Sequence, residues 1–226
     1  VMVSRIARLI GEKGISPSSI LTMTFSREAA RDMEARFRSL FPELPCPRFS
    51  TIHSFCYQVL AHSSRVQAKP LPRNIETENA PIRRPQLLRR LYNSLNPDYI
   101  GDDALETLES EITFITNRLL PPKELSGYPF ETARLGEIYQ QYTAFKRENN
   151  LMDFDDMLTL TLSLFEQQPD LLRQYRQRFR YLNLDEAQDT SLLQHRVIEK
   201  LAGSCDGLFM VGDEDQSIYS FRGAKI

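Results

Sequence analysis

The sequence is poor in the features that mark several protein classes. Its three cysteines, Cys46, Cys56 and Cys205, are odd in number and lack metal-ligand spacing. They argue against a disulfide framework and against a cysteine-built metal site. No apolar run approaches the roughly 20 residues that a membrane helix needs. Val1-Met-Val lacks the charged start and long apolar middle of a secretory signal. Positive charge is not in excess either, since 28 Lys and Arg face 30 Asp and Glu for a net charge of −2. No global basic field draws the chain to nucleic acid, so any such binding rests on local patches. Neither an internal repeat nor a low-complexity segment is present. These absences lead to the expectation of an intracellular, cytoplasmic protein. What remains is ordinary globular composition, 41% hydrophobic and 26% charged over 226 residues, enough to bury a substantial core.

Two stretches stand out. Tyr181-Leu-Asn-Leu-Asp-Glu-Ala-Gln-Asp189 and Leu208-Phe-Met-Val-Gly-Asp-Glu-Asp-Gln216 each begin apolar and end abruptly in carboxylates. Buried parallel strands look like this when they deliver charge to the edge of their sheet. Ligands of open α/β sheets bind at the carboxyl ends of the strands, so Asp185, Glu186, Asp213 and Gln216 are expected to converge on one crevice. Neighbouring carboxylates there suit a hydrated metal and a water-activating base. Asp185-Glu-Ala-Gln-Asp189 alone reads equally well as a polar cap on the next helix. The second stretch tips the balance, because Gly212 to Ala224 combines acids, an amide, two aromatics and an arginine between glycines. Exposed aromatics beside an arginine suit stacking on single-stranded bases and pairing with phosphate.

The rest of the chain places these stretches in an α/β order. Val1–Lys13 carries a helical stripe. Ile20–Phe25 reads as a strand, and Ser26 is a plausible cap for a helix over 27–40. A short strand at 48–51 precedes a helix over 52–61. From about Ser63 to Asn150 the pattern turns helical, at 86–95, 102–119 and 131–149, with no convincing strand. Helices over 154–167, 169–178 and 190–202 then flank the two acidic strands. The expected organisation is an α/β domain in two parts, 1–64 and 151–226, with an all-helical insertion at 65–150.

Read together, the motifs resemble those of superfamily 1 helicases of the UvrD/Rep/PcrA type. The acidic stretches resemble that family's DExx box and the motif that follows it. Leu21-Thr-Met-Thr-Phe-Ser-Arg-Glu-Ala-Ala-Arg-Asp-Met33 resembles its first DNA-contacting motif, and Ser50-Thr-Ile-His-Ser-Phe55 its Thr-Phe-His-Ser motif. Met152-Asp-Phe-Asp-Asp-Met-Leu158 resembles the segment that re-enters the first motor domain. All five fall in the family's order and span nearly the whole chain. The resemblance implies a RecA-like, parallel-sheet domain of the P-loop NTPase class with a helical insertion, ATP and magnesium as cofactors, and single-stranded DNA and duplex junctions as partners of a monomeric motor. By the same resemblance Asp185 holds magnesium, Glu186 is the general base, also near the metal, and Gln216 senses the γ-phosphate. Phe25, Tyr219 and Phe221 fall where the family stacks or pockets bases. Ser26, Thr51, His53 and Arg222 match polar DNA contacts. Phe221 departs from the tryptophan that many members carry there.

One departure is larger. No Gly-x-x-x-x-Gly-Lys-[Ser/Thr] loop occurs in this sequence, and Gly11-Glu-Lys-Gly14 has neither the spacing nor the ending. A second RecA-like domain is likewise missing after Ile226. The expectation is therefore a fragment that is not a competent ATPase, cut from a 3′ to 5′ DNA helicase. The alternatives are a non-hydrolysing DNA-binding or regulatory module and the motor part of a helicase–nuclease subunit. Asp153, Asp155 and Asp156 read as caps and dipole partners of a helix rather than as metal ligands. The arginine clusters at 83–90 and 173–180 read as solvated helix faces.

Overall fold

The computed structural model describes residues 1–213. The chain opens with α1 (Met2–Gly11), β1 (Ile20–Thr24), α2 (Arg27–Leu40), β2 (Arg48–Thr51) and α3 (Ile52–Gln67). A short β3 (Arg73–Asn74) leads into α4 (Arg84–Leu95), α5 (Asp102–Asn117) and α6 (Leu135–Glu148). Then come β4 (Leu151–Met152), α7 (Phe154–Gln167), α8 (Pro169–Arg178), β5 (Tyr181–Leu184), α9 (Leu192–Ala202) and β6 (Gly207–Met210).

The main sheet runs β2-β1-β5-β6 with every pairing parallel. Partnered residues share a face, so Leu21 and Met23 of β1 lie beside Leu182 and Leu184 of β5. They pack on α3, α7, α8 and α9 through Phe55, Val59, Leu158, Phe165, Leu172 and Val197, all buried. Ile20 faces the other way, onto Ile6 and Ile10 of α1 and Phe37 of α2. Helices thus cover both faces of a parallel sheet, the α/β RecA-like arrangement. A separate apolar cluster, centred on Leu87, Leu108, Ile112, Ile138 and Tyr142, holds α4, α5 and α6 together.

Three differences from the sequence reading have local causes. The third helix runs past residue 61 because Ser63 prolongs its buried stripe, and Ala68 ends it at φ 52°. The helix expected from 131 begins at Leu135, because Glu111 of α5 accepts the amides of Glu131 and Thr132 and holds them out of helical geometry. The stretch read as strandless contains β3, which pairs in parallel with β4. Two residues are too few to show alternation. Their pairing follows from the chain leaving for α4 and returning from α6 at one place.

Candidate functional site

The carboxyl edge of the sheet is where β5 and β6 release their acidic turns. The Asp185 amide donates to the carbonyl of Met23 (2.9 Å), which continues the ladder one residue beyond β5. Glu186 then takes a left-handed conformation (φ 51°), turning the chain sharply and leaving its side chain exposed. That carboxylate accepts from Gln188 Nε2 at 2.7 Å. The other end of the same amide, Gln188 Oε1, accepts from the backbone N–H of Asp213 at 3.0 Å. Ala187 N–H donates to Val211 (2.8 Å) and Val211 N–H to Leu184 (2.9 Å). The two acidic turns are therefore stitched into one surface, with Gln188 as the buried connector.

Gly212 is the cost of that closeness. A Cβ there would lie 2.7 Å from Gln188 Oε1 and 3.2 Å from the Gln188 backbone nitrogen. Burial, and after it the charge of Glu186, raises the pKa of Asp185. An acid whose ionisation is disfavoured by a neighbouring carboxylate fits a divalent cation, which would relieve the repulsion. Among the described residues no group of three or more potential ligands forms a metal cage. A pair of carboxylates with water and phosphate completing the shell is how magnesium is commonly held.

Beside this edge lies an aromatic cleft. Ser26 caps α2, its hydroxyl accepting from Ala29 N–H at 3.0 Å. Thr51 caps α3, accepting from Ser54 N–H (3.0 Å) while donating to Ser54 Oγ (2.9 Å). Both hydroxyls thus do structural work that aims the turns above β1 and β2. His53, in the first turn of α3, meets the ring of Phe154 edge-on, with centroids 6.1 Å apart. Burial, then the neighbouring Arg27, lowers the His53 pKa and favours the neutral ring. Phe25, His53, Phe154 and Asp189 line a cavity of about 590 Å3 whose far wall comes from α5. A second hollow of about 750 Å3 shares Arg27, His53 and Phe154 and opens between α3 and β3.

The whole chain, residues 1–226, matches the family model described as the UvrD/REP helicase N-terminal domain. This chain belongs to that family. It is 34% identical over 230 residues to ATP-dependent DNA helicase PcrA of Leuconostoc citreum. Identity to the proteins of the same name is 33% over 229 residues in Staphylococcus epidermidis and 32% over 235 residues in Staphylococcus aureus. Each alignment takes in 100% of this chain. The chain spans 30% to 31% of the length of these curated relatives.

Within this UvrD/REP-type domain, the structure puts Asp185 and Glu186 at one sheet edge with Asp213, and puts Phe25 and His53 in the adjacent cleft. Gln216, Tyr219, Phe221 and Arg222 lie outside the described residues. Three residues of the site escape the sequence reading. Gln188 and Gly212 look like filler between acids, and only the parallel pairing of β5 with β6 reveals them as the joint. Phe154 hides in a segment singled out for its aspartates; its signal is an aromatic directly after a helix cap, 38% exposed.

Those aspartates divide their work. Asp153 caps α7, accepting from Asp156 N–H at 2.8 Å. Asp155 does not cap. It reaches across to α5, accepting from Asn117 Nδ2 at 2.7 Å, and faces Arg84 at 3.9 Å. Asp153 and Asp156 both meet Lys146 of α6, at 2.6 and 2.7 Å. Lys146 and Arg84 are thus the cations that this group of aspartates faces.

Proposed function

We propose that this chain is the first motor lobe of an ATP-dependent DNA helicase, divided as 1–64, 65–150 and 151–226, with 65–150 as its helical insertion. The observation that carries the reading is the junction at Gln188, where a carboxylate edge suited to nucleotide chemistry adjoins a cleft suited to bases. Magnesium, when bound, neutralises charge developing on the phosphates. Asp185 would hold it, and Glu186, oriented by Gln188, would accept a proton from the attacking water. Gln216 would report the nucleotide's state to the DNA side.

The cleft walls suggest how a single strand lies. The 590 Å3 cavity bears four carboxylates, Glu76, Glu109, Asp155 and Asp189, against two arginines. Such a wall repels phosphate but tolerates a base stacked on Phe25 or Phe154. The second hollow bears Arg27 and Arg73 and no acid. The strand's phosphates run there while its bases turn inward, with Ser26, Thr51 and His53 at the turns between. Tyr219, Phe221 and Arg222 would continue the track, and 3′ to 5′ stepping and unwinding at junctions would belong to the longer, monomeric protein. Because the sequence contains no phosphate loop, the 226-residue chain itself is not a competent ATPase.

Fluorescence anisotropy with a single-stranded oligonucleotide tests the cleft. Phe154→Ala is expected to weaken binding by about 1–3 kcal/mol. Arg73→Ala is expected to lower the salt slope by about 0.7. Unchanged affinity in both Phe25→Ala and Phe154→Ala would refute the cleft as the DNA path.

A further inference from the structure

Three arginines meet at the opposite edge of the sheet, where the strands begin. Arg48 opens β2, Arg65 lies in the last turn of α3 and Arg178 ends α8. With Gln58, His62 and Tyr175 they line a cavity of about 260 Å3 that contains no carboxylate. Fourteen residues of α3 separate Thr51 from Arg65, which puts Arg65 roughly 20 Å from the turn that opens the helix, while Gln58, midway along it, lines both this pocket and the second hollow. The neighbouring Arg173 and Arg180 pair with Asp170 and Asp206. Arg48, Arg65 and Arg178 make no ion pair among the described residues. Their other contacts are neutral. Arg48 donates to Gln58 Oε1, and Arg65 Nε donates to the Ala61 carbonyl at 3.3 Å.

The pocket is built rather than incidental. The guanidinium groups of Arg48 and Arg178 stand 5.9 and 4.9 Å from the centroid of the buried Phe179 ring. Tyr175 packs against Phe55 and Phe179, and its hydroxyl lies 3.2 Å from His62 Nδ1. Burial lowers the pKa of Arg48, and the charge of Arg178 lowers it further. Burial raises the Tyr175 phenol, while Arg178, Arg48 and Arg65 all pull it down, so three positive charges bear on one oxygen. Like charges gathered around a half-buried hydroxyl repel one another until an anion arrives.

We propose that this arginine pocket binds a phosphate group. Guanidinium forks pair bidentately with phosphate oxygens. A tetrahedral group can take donors from three directions, whereas a planar carboxylate presents two oxygens in one plane. Gln58 Nε2 and the Tyr175 hydroxyl supply further donors at the rim. The phosphate can belong to a nucleic-acid backbone passing the far face of the domain or to a free phosphate compound. Gln58 joins the pocket to the second hollow, but the proposal rests on the three arginines and not on the residues assigned to the DNA path above.

The test is a titration of the 226-residue chain with inorganic phosphate at constant ionic strength. Ring signals of Tyr175 and His62 are followed by NMR, and thermal unfolding is measured in parallel. Saturable shifts and a rise in Tm are expected. In Arg65→Ala/Arg178→Ala, two exposed substitutions, the apparent Kd rises about tenfold or more, as loss of charge-assisted contacts requires. Arg173→Ala, on the outer face of α8, leaves the titration unchanged. No saturable shift in the wild-type chain, or the same loss in Arg173→Ala, would overturn the proposal. Salt-dependent binding of a single-stranded oligonucleotide then separates the two sources. A salt slope lower by about 1.4 in the double variant identifies backbone phosphate. An unchanged slope alongside lost phosphate binding identifies a free phosphate ligand.

Discussion

Lys146→Met probes the joint between α6 and α7 most directly. Lys146 is 6% exposed and Asp153 2% exposed, and their charged atoms are 2.6 Å apart. Methionine preserves most of the stem volume and removes only the charge. Asp153 would keep the Tyr142 hydroxyl (2.7 Å) and the Asp156 amide (2.8 Å) but lose its paired cation. Breaking a buried pair by removing one partner costs about 3–5 kcal/mol. Protonation sets the ceiling. Forcing a proton onto an acid of reference pKa 3.8 costs about 5 kcal/mol at pH 7.5 and about 2.3 kcal/mol at pH 5.5. The penalty of the substitution should therefore shrink by up to about 2.7 kcal/mol between those pH values. In the wild-type chain Asp153 is held down at about 2, burial opposing and Lys146 and Arg84 outweighing it. Its stabilising contribution is present above the reference value and lost as pH falls through about 2, so it is intact at both pH values. Paired urea melts of wild type and variant at pH 7.5 and 5.5 check this. At 2–4 °C per kcal/mol, the loss at pH 7.5 amounts to roughly 6–20 °C in Tm. A cost under about 1 kcal/mol at pH 7.5, or the same cost at both pH values, would refute the idea that this pair holds α6 to the start of α7.

Asp155 behaves oppositely: burial, then Asp153, raises its pKa to about 6. The stability its protonated form provides is present below 3.8 and is lost as pH rises through about 6. Asp155→Asn should therefore be more favourable at pH 7.5 than at pH 5 by about 1–2 kcal/mol, read from thermal melts. Gly212→Ala should loosen the seam between the acidic turns, with faster amide exchange at Ala187 and Asp213 and no change at Leu182. Thr51→Ala, which removes a helix cap, should cost about 1 kcal/mol in chemical denaturation. In a full-length relative carrying the phosphate loop, the counterpart of Glu186→Gln should abolish ATP turnover while a fluorescent nucleotide still binds.

Much of this architecture can be read from local pattern, and the reason is physical. Apolar runs ending in acids identify β5 and β6 because a buried parallel strand has no polar face to interrupt the run. Ser26 and Asp153 are legible as caps because capping is decided within three residues. What escapes depends on pairs far apart in sequence. Glu111 sets the start of α6 from about twenty residues away, and Asp155 answers to Asn117 and Arg84 rather than to its own helix. Gln188 matters only because Gly212 lets the second turn come within reach of it. The candidate site is assembled from such pairs. Motif order foretells where its carboxylates stand, but the connection between the carboxylate edge and the aromatic cleft emerges only when β5 and β6 lie side by side. Asp189 makes the point. It closes the turn that begins at Asp185, it lines the cleft, and its Oδ1 is buried without a hydrogen-bond partner. An acid held in that state is sensitive to small movements of the turn, so rearrangement at Asp185 and Glu186 would be felt where a base would stack.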